Sequence, residues 1–118
     1  RTHPLRGALF ENWVVTEVMK ARVHRGLQDR GFFLRDRKGF EIDLLLDIGA
    51  RIIASEIKSG QTVAGDFFAH LEQLPKELPR SQAERGIEAR VVYGGSDRQR
   101  RREIDVIPWN QVKDLPWW

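Results

Sequence analysis

Between residues 7 and 30 the apolar side chains of Phe10, Trp13, Val14, Val18 and Ala21 recur at helical spacing, which predicts a long first helix with Gly31 as its stop. The period then changes to alternation. Residues 32–37, a Lys38-Gly39 turn and residues 40–47 read as a hairpin; residues 52–58, rich in β-branched side chains, follow a turn over residues 48–51. Ser59-Gly60 ends that strand. Asp66 is placed as the N-cap of a helix carrying Phe67, Phe68, Leu71 and Leu74, which Pro75 and Pro79 break, and residues 81–86 read as loop. Residues 87–93 form a further strand turned by Gly94-Gly95, residues 96–102 a charged loop, and residues 103–107 a last strand, after which Pro108-Trp109 opens a short helix or turn. The pattern predicts an α/β fold, a central mixed β-sheet flanked by helices in the order α-β-β-β-α-β-β.

Successive strand residues point to opposite faces, so Phe40, Ile42, Leu44 and Leu46 are expected on one face and Glu41 and Asp43 on the other. Glu56 and Lys58 likewise share a face, opposite Ile53, Ser55 and Ile57. A turn centred on Gly49-Ala50 sets Asp43 directly across from Glu56 in an antiparallel pair. Two carboxylates so placed repel unless a proton, a cation or a lysine separates them, and strand interiors disfavour Asp in any case. A divalent cation is the economical reason: Mg2+ (or Mn2+) takes a few carboxylate oxygens and keeps several waters, so Asp43, Glu56 and the main-chain carbonyl of Ile57 are its expected ligands. Lys58 is then expected beside the attacking water, stabilising charge that develops on a phosphate.

Composition narrows the chemistry. At 118 residues and 41% hydrophobic the chain supports one core, so residues 1–118 are expected to form a single domain. With no cysteine, disulfides, thiolate metal sites and cysteine catalysis are excluded, and any metal must sit on oxygen or imidazole. No apolar run approaches the roughly 20 residues of a membrane span, and no charged-then-apolar leader opens the chain, so a soluble, cytoplasmic protein without membrane contact is expected. The start at Arg1 and the finish on Trp117-Trp118 suggest a piece of a longer polypeptide. Twenty Lys and Arg against 17 Asp and Glu suit a phosphate-bearing partner, and equally a well-solvated surface.

Asp43, a gap of about a dozen residues and Glu56-Ile57-Lys58 on consecutive strands resemble the PD-(D/E)xK nuclease superfamily, with Ile42 where that motif has its proline. The resemblance implies a restriction-endonuclease-like fold, DNA as substrate and catalysis by Asp43, Glu56 and Lys58. Gly7-Ala8-Leu9-Phe10-Glu11 resembles the first-helix motif that supplies a further acidic residue in such enzymes, which implies Glu11. Five segments are spread along most of the chain: Gly7 to Glu11, Arg35-Asp36 with Glu41-Ile42-Asp43, Glu56 to Gly60, Val92 to Gly95, and Ile107-Pro108-Trp109. They resemble the domain of uncharacterised function at the C-terminus of prokaryotic AAA-family ATPases, which implies an ATPase domain in the same polypeptide. The chain has no Gly-x-x-x-x-Gly-Lys phosphate loop of its own.

Other residues carry two readings each. Glu17, amid Phe10, Val14 and Ala21 on the helical wheel, either orients Lys58 or a metal-bound water from behind or forms a structural salt bridge. Glu41 reads as a surface charge or a partner of Arg35, and His3, His24 and His70, without ligand spacing, are assigned no role. Arg98, Arg100, Arg101 and Arg102 are the densest basic stretch, either a flexible charged loop or contacts to a nucleic-acid backbone. Trp109, Trp117 and Trp118 either cover the core or face a neighbour, as in a homodimer. Two functions follow: a divalent-metal-dependent DNA phosphodiesterase, or a catalytically idle module that binds DNA or a partner protein.

Overall fold

The computed structural model describes residues 4–27, 31–82 and 84–118. Its elements run α1 (Pro4–His24), β1 (Phe32–Arg35), β2 (Glu41–Asp47), β3 (Arg51–Lys58), α2 (Ala69–Glu77), β4 (Gly86–Tyr93), β5 (Gln99–Arg101), β6 (Ile104–Pro108) and a closing 3-10 segment, Trp109–Asp114. The strands form one six-stranded sheet in the order β1-β2-β3-β4-β6-β5. Pairs β3–β4 and β4–β6 are parallel and the rest antiparallel, so the sheet is mixed as predicted. On one face Val14 and Val18 of α1 pack with Leu44, Leu46, Ile53 and Ile57; on the other, Phe68, Leu71 and Leu74 pack with Ile42, Leu45 and Val91. Among the described residues no helix is long and apolar enough to cross a membrane.

The first helix is shorter than its apolar period suggested. It closes in a Schellman turn: Gly26 takes φ 79°, its N–H donates to the Val23 carbonyl and the Leu27 N–H to the Arg22 carbonyl. Gly31 is therefore not the stop, and Arg30 lies outside the described residues. Glycine at position 31 answers close packing instead, since a Cβ there would lie 2.5 Å from Leu44 Cδ1 and 3.0 Å from Leu46 Cδ2.

Strict alternation fails in β2. Leu34 of β1 pairs with Ile42, but Phe32 pairs with Leu45, so two steps on β1 face three on β2. The extra residue is a β-bulge at Asp43-Leu44. It turns Leu44 and Leu46 onto the α1 face, whereas Phe40 and Ile42 pack on the α2 face, contrary to the expectation that all four share a side. On β3 alternation holds, with Ile53 and Ile57 toward α1 and Ile52 and Ala54 toward α2.

Three further expectations change. Asp66 lies in a short 3-10 segment, Gly65–Phe67, and neither that segment nor α2 begins with a side-chain cap; Pro75 lies inside α2, which continues until the Leu78 N–H reaches the Leu74 carbonyl at 3.2 Å. The arginine-rich loop contains a strand, β5, so the order is α-β-β-β-α-β-β-β. Its charges suit a sheet edge, and a two-residue turn with Arg102 at φ 53° and Glu103 at φ 63° returns it into β6. Trp117 is fully buried, its indole N–H donating to the Val112 carbonyl at 2.9 Å and its ring lying 4.4 Å beneath the Arg90 guanidinium, so it seals the core rather than facing a neighbour.

Candidate functional site

The candidate site forms where β2 and β3 part. Their ladder runs from Asp47↔Ile52 to Leu44↔Ser55, a register that, continued, sets Asp43 opposite Glu56. The bulge at Asp43 breaks the backbone pairing at that step, and side chains replace it. The Asp43 N–H donates to Glu56 Oε1 at 3.1 Å, and the Ile57 N–H donates to Asp43 Oδ2 at 2.7 Å. Each carboxylate thus occupies the place of a missing backbone carbonyl, which satisfies two amides the bulge would otherwise leave bare.

Five functional groups meet there, Asp43 among them. Glu56 is only 1% exposed, and burial first, then the negative charge of Asp43, raises its carboxyl to about pKa 8 against the opposing pull of Lys58. Glu11 reaches in from α1, raised to about 7 by burial, by the Asp43 charge and by a side-chain hydrogen bond with Asp43. Lys58 Nζ lies 3.8 Å from Glu56 Oε2. His70 Nδ1, from α2, lies 3.7 Å from the same oxygen, and its ring stands edge-on to Phe40. The spacing of histidines gave no sign of this, because His70 arrives through the docking of α2 and no sequence signal encodes that approach.

Near neutral pH the cluster holds protons on carboxyls that would ordinarily be ionised, so it has more acidic oxygens than nearby cations to balance them. Among the described residues no group of three or more Asp, Glu or His side chains is arranged to hold a metal ion. The donor set therefore fits at most an ion that accepts two carboxylates, Asp43 and Glu56, and keeps much of its water, as Mg2+ does. Exposed Phe32 and Phe33 flank Glu11 and Asp43 along an opening of about 410 Å3.

The remaining predicted residues fall elsewhere. Glu17 binds Lys20 at 2.9 Å and Lys113 at 3.7 Å, and Lys20 holds its carboxyl below the ordinary value; it is a salt bridge and does not orient Lys58. Glu41 pairs with Arg35 at 3.3 Å, and His3 lies outside the described residues. The arginines do not act as one stretch. Arg98 pairs with Asp105 and Arg102 with Glu72, Arg101 and Arg102 lie over Phe68, and Arg100 lines a separate mixed-charge depression with Arg51, Glu88 and Glu103.

The five sequence segments converge on this corner. Gly94 donates its N–H to the Gly60 carbonyl at 2.9 Å, and a Cβ on Gly94 would overlap the Ser59 carbonyl, so the strand end bearing Glu56 and Lys58 is clamped against the β4 turn. A Cβ on Gly7 would stand 4.0 Å from Ser59 Oγ, and Phe10 and Trp109 line a groove beside Ser59. A comparison with curated proteins gives no match. The sequence pattern of the domain of unknown function DUF4143 matches residues 6–112, which spans all five segments, and no nuclease family is matched. The chain therefore belongs to the DUF4143 family, a domain of unknown function that occurs C-terminal to AAA ATPases.

Proposed function

We propose that this chain is a restriction-endonuclease-like, divalent-cation-dependent phosphodiesterase domain acting on DNA, attached to an AAA-family ATPase. The observation that carries the reading is the meeting of Glu11, Asp43, Glu56 and Lys58 at the break between β2 and β3. Asp43 and Glu56 are the groups that would hold Mg2+ or Mn2+, with the main-chain carbonyl of Ile57 as a further donor and Glu11 assisting through Asp43. When bound, such an ion supplies Lewis-acid polarisation of a phosphoryl oxygen and a more acidic water.

The chain's own residues supply the rest. The Ile57 N–H fixes the Asp43 carboxylate, and the Asp43 N–H fixes that of Glu56, so both are oriented before substrate arrives. Lys58, a third exposed at the end of β3, is placed to accompany the attacking water and to neutralise charge gathering on the phosphate oxygens. His70, against Glu56, is a positioning residue that limits where that carboxylate swings. Arg100 and Arg101, without an ion-pair partner among the described residues, are the arginines best placed to meet a phosphate backbone.

A second reading, a catalytically idle module for DNA or partner binding, is favoured by one observation. The Asp43 and Glu56 hydrogen bonds complete the strand pairing, and that structural task survives without turnover. The discriminating experiment incubates the chain with plasmid and branched DNA in Mg2+ or Mn2+, beside Asp43→Asn and Lys58→Ala. Metal-dependent cleavage lost in both variants supports the phosphodiesterase. DNA binding without cleavage supports the module, and cleavage that persists equally in both variants marks a contaminant.

A further inference from the structure

A groove of about 490 Å3 opens on the α1 side, where the chain leaves β3, within the size range of small-ligand sites. Its wall is an exposed aromatic pair: Trp13 of α1 and Trp109 meet edge to face at 5.7 Å, 37% and 42% exposed. Tryptophans in contact with each other yet open to water are costly for a surface unless they receive something flat and apolar. The groove's polar groups are one cation, Arg6, one amide, Gln61, and one hydroxyl, Ser59, and among the described residues no acidic side chain lines it. An amide and a hydroxyl match the donor and acceptor edges of a nucleobase, and a lone guanidinium matches its phosphate. Ser59 directly follows Lys58, so the groove begins one residue from the proposed catalytic lysine.

We infer that this groove receives an unstacked base of single-stranded DNA, the base beside the phosphate presented to Lys58. The base stacks on one ring of the Trp13–Trp109 pair and meets the other edge to face, Gln61 and Ser59 meet its edge, and Arg6 meets the adjoining phosphate. The substrate class is therefore single-stranded or frayed DNA rather than an intact duplex, whose bases are already stacked and paired. Glycine at position 94, which lines the groove, contributes by allowing the Ser59 carbonyl to approach closely. The inference rests on the phosphodiesterase reading for its choice of ligand, but its test involves no turnover.

The test measures binding by fluorescence anisotropy in EDTA, using a labelled oligothymidylate and an abasic strand with the same number of phosphates. The expected result is tighter binding of the base-bearing strand by about 5- to 100-fold, the range of one base–aromatic stack. Trp13→Ala should remove most of that difference without changing abasic binding, Trp13→Phe should retain much of it, and Arg6→Ala should weaken both strands. Trp109→Ala serves in place of Trp13→Ala if circular dichroism shows that variant misfolded. Equal affinity for the two strands, or an unchanged preference in well-folded Trp13→Ala, overturns the inference. Base-selective binding in a chain that cleaves nothing would instead overturn only the phosphodiesterase reading.

Discussion

The backbone amide of Asp43 donates to Oε1 of Glu56 at 3.1 Å, so a side chain continues a strand pairing that the backbones abandon one residue earlier. The relationship explains why two acids persist at a position where like charges repel. Each satisfies an amide exposed by the bulge, while the repulsion between them is relieved by protonation and by Lys58.

Stability should therefore fall as pH rises through neutrality. Glu11 and Glu56 titrate at 4.5 in an ordinary setting but at about 7 and about 8 in the fold, so between those values the folded chain carries more protons than the unfolded chain. Unfolding free energy then decreases with rising pH across that window. Glu17 and Asp47, held low by Lys20 and Arg85, act in the opposite sense and lose their contribution only as pH falls below their ordinary 4.5 and 3.8. Thermal melts should show the highest Tm at the acid end of that window, near pH 4 to 5, and a lower one above pH 8. A Tm constant from pH 5 to 9 would contradict the raised carboxyls.

Asp43→Asn and Asp43→Ala should separate structure from chemistry. Asparagine keeps an oxygen for the Ile57 N–H, now at 2.7 Å from Asp43 Oδ2, but removes the charge that adds to burial in raising Glu11 and Glu56. Its Tm at pH 8 should equal or exceed that of the parent, with cleavage lost. Alanine leaves a buried amide without its acceptor and should cost about 1–3 kcal/mol in urea unfolding. Equal stability of the two variants at pH 8 would show that the hydrogen bond contributes nothing.

How much of this was legible in the sequence depends on the range of the interaction. The Gly49-centred turn fixes the β2–β3 register locally, so the approach of Asp43 to Glu56 follows from counting residues. The bulge does not, because it arises from the pairing of β2 with β1 as well as with β3, and periodicity within one strand cannot report a second partner. The His70 approach and the Glu17–Lys113 ion pair depend on where α2 and the closing segment dock. Strand β5 was hidden by its charges, which edge pairing tolerates and which hydrophobic alternation cannot reveal.

Gly94→Ala tests the clamp behind the site. A methyl group at this position would overlap the Ser59 carbonyl, backbone against backbone, so relief requires displacing the strand end that follows Lys58. Destabilisation of about 1–3 kcal/mol is expected in urea unfolding, with a greater loss of cleavage than of DNA binding. A variant of parental stability and activity would show that the close approach is not needed.

The arginines should contribute unequally to DNA affinity. Arg98 and Arg102 already meet Asp105 and Glu72, whereas Arg100 and Arg101 have no carboxylate partner among the described residues. Alanine at position 100 or 101 should lower the slope of log affinity against log salt by about one each, and at 98 or 102 by less. Identical slopes for all four variants would exclude this division.

The central claim, that the acids at the β2–β3 break gather a divalent cation, is tested most directly by calorimetric titration of Mn2+ into the metal-free chain at pH 7 in buffers of different ionisation enthalpy. One ion should bind with release of protons, because Glu11 and Glu56 are partly protonated at that pH, and Asp43→Asn should abolish the binding. No binding by the parent chain, or equal binding by Asp43→Asn, would contradict the account.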